Sequence, residues 1–199
     1  MVESFTSEEL AAVADTRFFT VKRRIGAKVQ GRLQTLYEHL RARPPQDSPN
    51  FPVPWWAKGG KISRGENYHG LPYLVLDYPR HFARPDVAAV RTLFWWGHGY
   101  SQTLHLQGAP LDHLRAPLLR HLGTIRASNC WVGVHPSPWE HHYGPDNYRP
   151  AAHFTTAALD EHLRTHPFVK LHARLPLPES DGVVAFGEAT FECFRSWLI

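Results

Sequence analysis

Cysteine is scarce in this chain: two residues, Cys130 and Cys193, in 199. Both stand among apolar neighbours, Cys130 before Trp131 and Cys193 inside FECF, where a thiol serves as a small hydrophobe rather than a nucleophile. That count argues against a disulfide framework. Long apolar runs are also missing, so no segment matches a bilayer span. The first residues, MVESFTSEEL, have neither the basic nor the apolar region of a secretory leader. The expectation is a cytoplasmic protein with no membrane partner.

Catalytic signatures are missing in the same way. There is no CxxC or HExxH for a metal, no GxSxG for a nucleophilic serine, and no RNP motif, zinc finger or arginine-rich tail for nucleic acid. Lys61 is followed by Ile62 rather than Ser or Thr, which excludes a P-loop. A strand is expected after the glycines rather than before them, which excludes a dinucleotide fingerprint. Arg24, Lys28 and Arg32 recur at helical spacing, but three like charges on a solvated helix are common. Nucleic acid therefore ranks below a small molecule as partner, without being excluded.

What is present is ordinary in bulk and unusual in detail. Apolar residues make up 43% and charged residues 20%, globular proportions that allow one domain over residues 1–199 with a core needing no staples. The net charge of +4 is a mild basic bias that permits an anionic partner. Fourteen His and seven Trp are more than a domain of this size needs for packing alone.

Thr6 and Glu9 form a capping-box pattern, with Phe5 and Leu10 as a hydrophobic staple, and predict a short helix to about Asp15. Val21, Ile25, Val29, Leu33, Leu36 and Leu40 trace one apolar stripe along a long amphipathic helix from Thr20 to about Ala42. Pro44 and Pro45 stop it, and a proline-rich surface loop follows over about 44–57. Residues 58–70 read as a glycine-rich loop, and Leu71 to Tyr78 as an interior strand. Pro85 opens a short helix to about Val90. Residues 91–107 carry a β-hairpin signal around Gly97-His98-Gly99-Tyr100. Further helices are expected over Pro110–Ile125, from Phe154 to Thr165 and over Val183–Leu198, with strands over Cys130–His135 and Phe168–Leu175. The class is α+β, a mainly antiparallel sheet covered on one face by helices, with a long N-terminal amphipathic helix.

If a turn of two or four residues closes the hairpin, Leu93, Trp95, Gln102, Leu104 and Leu106 face the core. Phe94, Trp96, His98, Ser101, Thr103 and His105 then face away, whereas a three-residue loop breaks that parity. The strand from Phe168 alternates likewise, with Lys170, His172 and Arg174 away from the core. The leading expectation is a ligand-binding domain, with scope to be an enzyme, whose pocket holds a small polar or anionic molecule. His98, His105 and His172 are the candidates for proton transfer. Trp96 and Tyr68 would stack on the ligand, and Arg64, Arg174, Thr103 and His141 would bind it. A metal-dependent enzyme is the alternative. His135, His141, His142 and His153, near Glu140 and Asp146, would hold a divalent ion such as zinc or iron. Glu140 has a competing role, since Ser137-Pro138-Trp139-Glu140 matches a capping box. A third reading is an interaction protein anchored by exposed Trp55 and Trp56.

Overall fold

The computed structural model describes residues 3–42, 55 and 58–199. The chain is α+β. Seven strands form one antiparallel sheet in the order β1-β2-β3-β4-β7-β5-β6. They are β1 Lys61–Tyr68, β2 Leu71–Ala83, β3 Asp86–Trp95, β4 Gly99–Gln107, β5 Trp131–Gly133, β6 Tyr148–Pro150 and β7 Phe168–Leu175. The helices are α1 Ser7–Ala14, α2 Thr16–Arg41, α3 Ala109–Arg120, α4 Leu122–Ala127, α5 Thr156–Thr165 and α6 Val183–Ser196. No described helix is long and apolar enough to cross a membrane.

The core lies between one face of the sheet and the helices. The expected stripe along α2 is there, and Val29, Leu33, Leu36 and Leu40 are its buried part. They share one cluster with Phe191 and Phe194 of α6, Leu111, Leu114 and Leu118 of α3, and the strand residues Leu74, Leu76, Ala88, Val90, Phe94, Leu104, Leu106, Val169 and Leu171. Alternate residues of β2, β3, β4 and β7 enter this layer, as pleating requires. The capping box at Thr6 forms in full, with the Thr6 amide donating to Glu9 Oε2 at 2.7 Å and the Glu9 amide to Thr6 Oγ1 at 3.2 Å. Phe5 and Leu10 stay exposed, so the expected staple buries nothing.

Several expectations need correction. Residues 61–68 are an edge strand rather than loop, because residues 61–65 pair with β2. Gly65 serves close approach, since a Cβ there would run into the Tyr73 ring. The helix expected from Pro85 is instead the start of β3. Ala83 pairs with Asp86, and Val87 to Val90 are buried between β2 and β4, so tertiary pairing overrides the local start signal. The helix expected over Pro110–Ile125 is broken at His121 into α3 and α4.

The hairpin turn is Trp96-Gly97-His98, three residues, with Gly97 at φ 78° and Gly99 at φ 95°. Trp95 pairs with Gly99 and Leu93 with Ser101. The faces of β4 are as expected, but those of β3 are exchanged: Phe94 faces the helices, while Arg91, Leu93 and Trp95 lie on the other face. The proline-rich stretch falls outside the described residues except for Trp55, which is buried in the core cluster rather than exposed. Trp56 lies outside the described residues.

Candidate functional site

The sheet face opposite the helices is polar across its middle. One cross-strand row runs Lys61, Asp77, Arg91, Thr103, His172, Trp131. The next runs Arg80, Ala89, His105, Lys170, and on the other side lies Val75, Leu93, Ser101, Arg174. Over these rows passes the irregular segment 134–147, between β5 and β6, so that His105 is 5% exposed and Lys170 and His172 are 1% exposed.

Charges this well covered need partners. The Arg91 guanidinium makes two parallel bonds to the Asp77 carboxylate, Nε to Oδ1 at 2.8 Å and Nη2 to Oδ2 at 2.9 Å. Its Nη1 lies 3.0 Å from His141 Nε2. A guanidinium can only donate, so this nitrogen of His141 accepts and the ring is neutral. The Lys170 ammonium donates to the main-chain oxygen of Glu140 and sits 4.8 Å over the Tyr148 ring. Arg174 lies between the Trp131 and Tyr143 rings, 4.2 and 4.3 Å from their centres, and its Nε donates to His172 Nε2 at 3.3 Å. The other His172 nitrogen, Nδ1, then carries the hydrogen and donates to Thr103 Oγ1 at 2.8 Å.

The segment is tied down by Tyr68. Its hydroxyl accepts from the amides of His141 at 2.6 Å and His142 at 2.9 Å and donates to Glu140 Oε2 at 2.9 Å. The capping box expected at Ser137 does not form, because the Glu140 carboxylate is drawn to Tyr68, His69 and His142 instead.

Burial shapes the ionisation of these groups. It pushes the His105 imidazole down to about 3, helped by the cations of Lys170 and Arg91. It holds His141 and His172 well below the ordinary histidine range, with Arg91 acting on the first and Arg174 on the second. Burial and nearby Arg91 bring the Lys170 amine down to about 7. The Tyr68 hydroxyl is pushed up to about 12, mainly by burial. These three histidines are therefore uncharged at neutral pH, and Lys170 is the group tuned near it.

Beside the covered cluster, a cleft of about 930 Å³ opens between β1, β2, β3 and Trp139. Its lining carries Lys61, Arg80, Arg84 and Arg91 against two carboxylates, Asp77 and Asp86. Asp77 is taken by Arg91, and Asp86 Oδ1 accepts from the Ala109 amide at 2.9 Å. Among the described residues, Lys61, Arg80 and Arg84 have no carboxylate partner, and Arg80 Nε is a buried donor without an acceptor.

The residues expected to form one pocket divide. Thr103, His105, His141, His172, Arg174 and Tyr68 gather around the covered cluster. His98 is exposed at its edge, stacked on Trp95 with ring centres 3.7 Å apart. Arg64 and Trp96 do not join it. They line a separate groove of about 660 Å³ against α2, because Arg64 pairs with Leu74 on the helix-facing side. Of the metal candidates, His142 stands beside Glu140 and His69, whereas His141 faces a guanidinium, His135 Nδ1 accepts from the Ser137 amide at 3.0 Å, and His153 is exposed on the turn after β6.

Sequence reasoning missed Asp77, Arg91, His69 and the weight of Lys170. A lone Asp inside the apolar run LPYLVLDY was a signal for the first, and the strand alternation around Lys170 a signal for the last. No family model, curated protein or solved structure matches the chain.

Proposed function

We propose that the chain binds a small anionic molecule, one bearing a carboxylate or phosphate group, in the cleft between Lys61, Arg80, Arg84 and Trp139. The observation that carries this reading is the uncompensated positive charge of its walls. Three cations line the cleft without a carboxylate partner among the described residues, and one of them keeps a buried donor unused. A guanidinium fork aimed into a concave site suits a planar or tetrahedral oxyanion. Trp139 and Phe82, with ring centres 6.2 Å apart, supply an apolar wall for the rest of the ligand. The reading keeps the cytoplasmic setting expected from the sequence, which two unpaired cysteines, one buried and one partly exposed, suit. The interaction reading loses its anchor at Trp55, which is buried.

The test is calorimetric titration with inorganic phosphate and with mono- and dicarboxylates. Wild-type protein is expected to bind at least one of them, and Arg80→Ala to weaken that binding by at least about tenfold, the worth of one charge-assisted hydrogen bond. Unchanged affinity in a folded Arg80→Ala protein, or no binding by the wild type, would count against the cleft.

A further inference from the structure

Away from the cleft, three potential ligand atoms converge where the turn between β1 and β2 meets the segment 134–147. His69 Nε2 is 3.5 Å and His142 Nδ1 is 3.4 Å from the same oxygen, Glu140 Oε2, and all three atoms lie within 4.8 Å of one another. Metal–nitrogen and metal–oxygen bonds of about 2.1 Å in a tetrahedron place ligand atoms about 3.4 Å apart. Two of the three edges already have that length.

The protonation of His142 makes the arrangement more telling. Its Nε2 lies 2.8 Å from Asp146 Oδ2, and a carboxylate can only accept, so Nε2 carries the hydrogen. Nδ1 is then a lone pair. It is buried, has no hydrogen-bond partner, and faces a carboxylate oxygen that is itself an acceptor. Two acceptors this close need a positive centre between them. One further proton would satisfy His142 and Glu140 alone, but a metal ion would also use the Nε2 of His69, whose side chain is held at this point by a backbone in the left-handed region, φ 49°. The surroundings match a supported metal site. Asp146 fixes the His142 tautomer, and the Tyr68 hydroxyl orients the Glu140 carboxylate.

We infer that His69, Glu140 and His142 bind a divalent transition-metal ion, with Asp146 and Tyr68 as its supporting shell. Two imidazoles and one carboxylate favour a borderline ion such as Zn²⁺ or Fe²⁺ over Mg²⁺ or Ca²⁺. The site faces solvent, since the side chains of His69 and Glu140 are 51% and 32% exposed, so a coordination position remains for water or a ligand. The inference stands apart from the anion cleft, which shares none of these residues.

The experiment is titration of the tag-free, chelator-treated full chain with Zn²⁺, followed by calorimetry and by elemental analysis after dialysis, with Co²⁺ absorption as a reporter of geometry. One equivalent of Zn²⁺ is expected. His69→Ala and Glu140→Gln should each weaken binding at least about a hundredfold, and Asp146→Asn about tenfold. His69 stands on an exposed turn, so its variant tests the site without endangering the core. Circular dichroism without metal checks that each variant is folded. No binding near one equivalent, or the same affinity in His69→Ala and Glu140→Gln as in wild type, overturns the inference.

Discussion

Replacing Lys170 with Met removes the most deeply covered cation of the sheet while keeping the length of its stem. The fall of the amine from 10.5 to about 7, at about 1.4 kcal/mol per pH unit, makes its protonation roughly 5 kcal/mol costlier in the folded state than in the unfolded chain. The sign follows from proton counts. Between pH 7 and 10.5 the unfolded chain holds a proton that the folded one has released, so wild-type stability rises with pH across this window and falls as pH drops through it. Below pH 7 both states are protonated and the penalty is constant. Met carries no such penalty, but it leaves the Glu140 carbonyl without its donor, a loss of about 1 kcal/mol. Lys170→Met should therefore be more stable than wild type at pH 7, by at least about 1 kcal/mol, and the gain should shrink steadily up to pH 9.5. Urea denaturation followed by tryptophan fluorescence at half-unit pH steps measures both curves. Taking their difference cancels the tyrosines and histidines common to both proteins. Parallel curves would refute the reasoning, because they would mean that the amine is solvated or already compensated in the folded state.

Two further perturbations probe the same face. Asp77→Asn keeps the shape but leaves the Arg91 guanidinium beside an amide, and should cost about 3 kcal/mol in urea unfolding; a loss below about 1 kcal/mol would mean that water already compensates Arg91. Tyr68→Phe strips the hydroxyl from two amides and a carboxylate, so hydrogen exchange over residues 138–146 should quicken while the core helices keep their protection, and unchanged exchange there would show that the segment is held by other contacts.

The parts of this fold legible in the sequence are those where one periodicity is sustained. The α2 stripe repeats long enough to define a face, and the run from Phe168 to Leu175 alternates cleanly, so its polar side at Lys170, His172 and Arg174 could be read directly. Where local chemistry and tertiary pairing disagree, reading failed. The glycines in and around β1 signal a loop, yet Gly65 is there to admit the Tyr73 ring, and Pro85 signals a helix start where two strands meet. The hairpin shows how narrow the margin is. One residue more or less in its turn exchanges the faces of β3, and with them the visibility of Arg91 beside His105 and Thr103. The meeting of Tyr68 with Glu140, 72 positions apart, has no local signature at all.

The covered face also separates structural polarity from polarity that lacks a structural task. An irregular segment laid over a sheet brings main-chain groups that no ladder satisfies, and side chains must serve them. Tyr68 takes the amides of His141 and His142, Lys170 takes the Glu140 carbonyl, and the Asn147 side chain donates to the His142 carbonyl at 2.8 Å. These side chains serve segment 134–147 whether or not the protein binds anything, and so does the Arg91–Asp77 pair beneath it. His172 is similarly accounted for by Thr103 and Arg174. Some covered atoms stay without a partner, His105 Nε2, the Tyr148 hydroxyl and Arg174 Nη2 among them, but two further groups lie where a ligand can reach: the donors of Lys61, Arg80 and Arg84 in the cleft, and the lone pair of His142 with its neighbours His69 and Glu140. Folding explains the residues that hold the segment and leaves these two groups unexplained. The arginines and lysine of the cleft, and the three ligand atoms at the turn, are therefore where binding is to be sought, ahead of the more deeply buried histidines that dominate the composition.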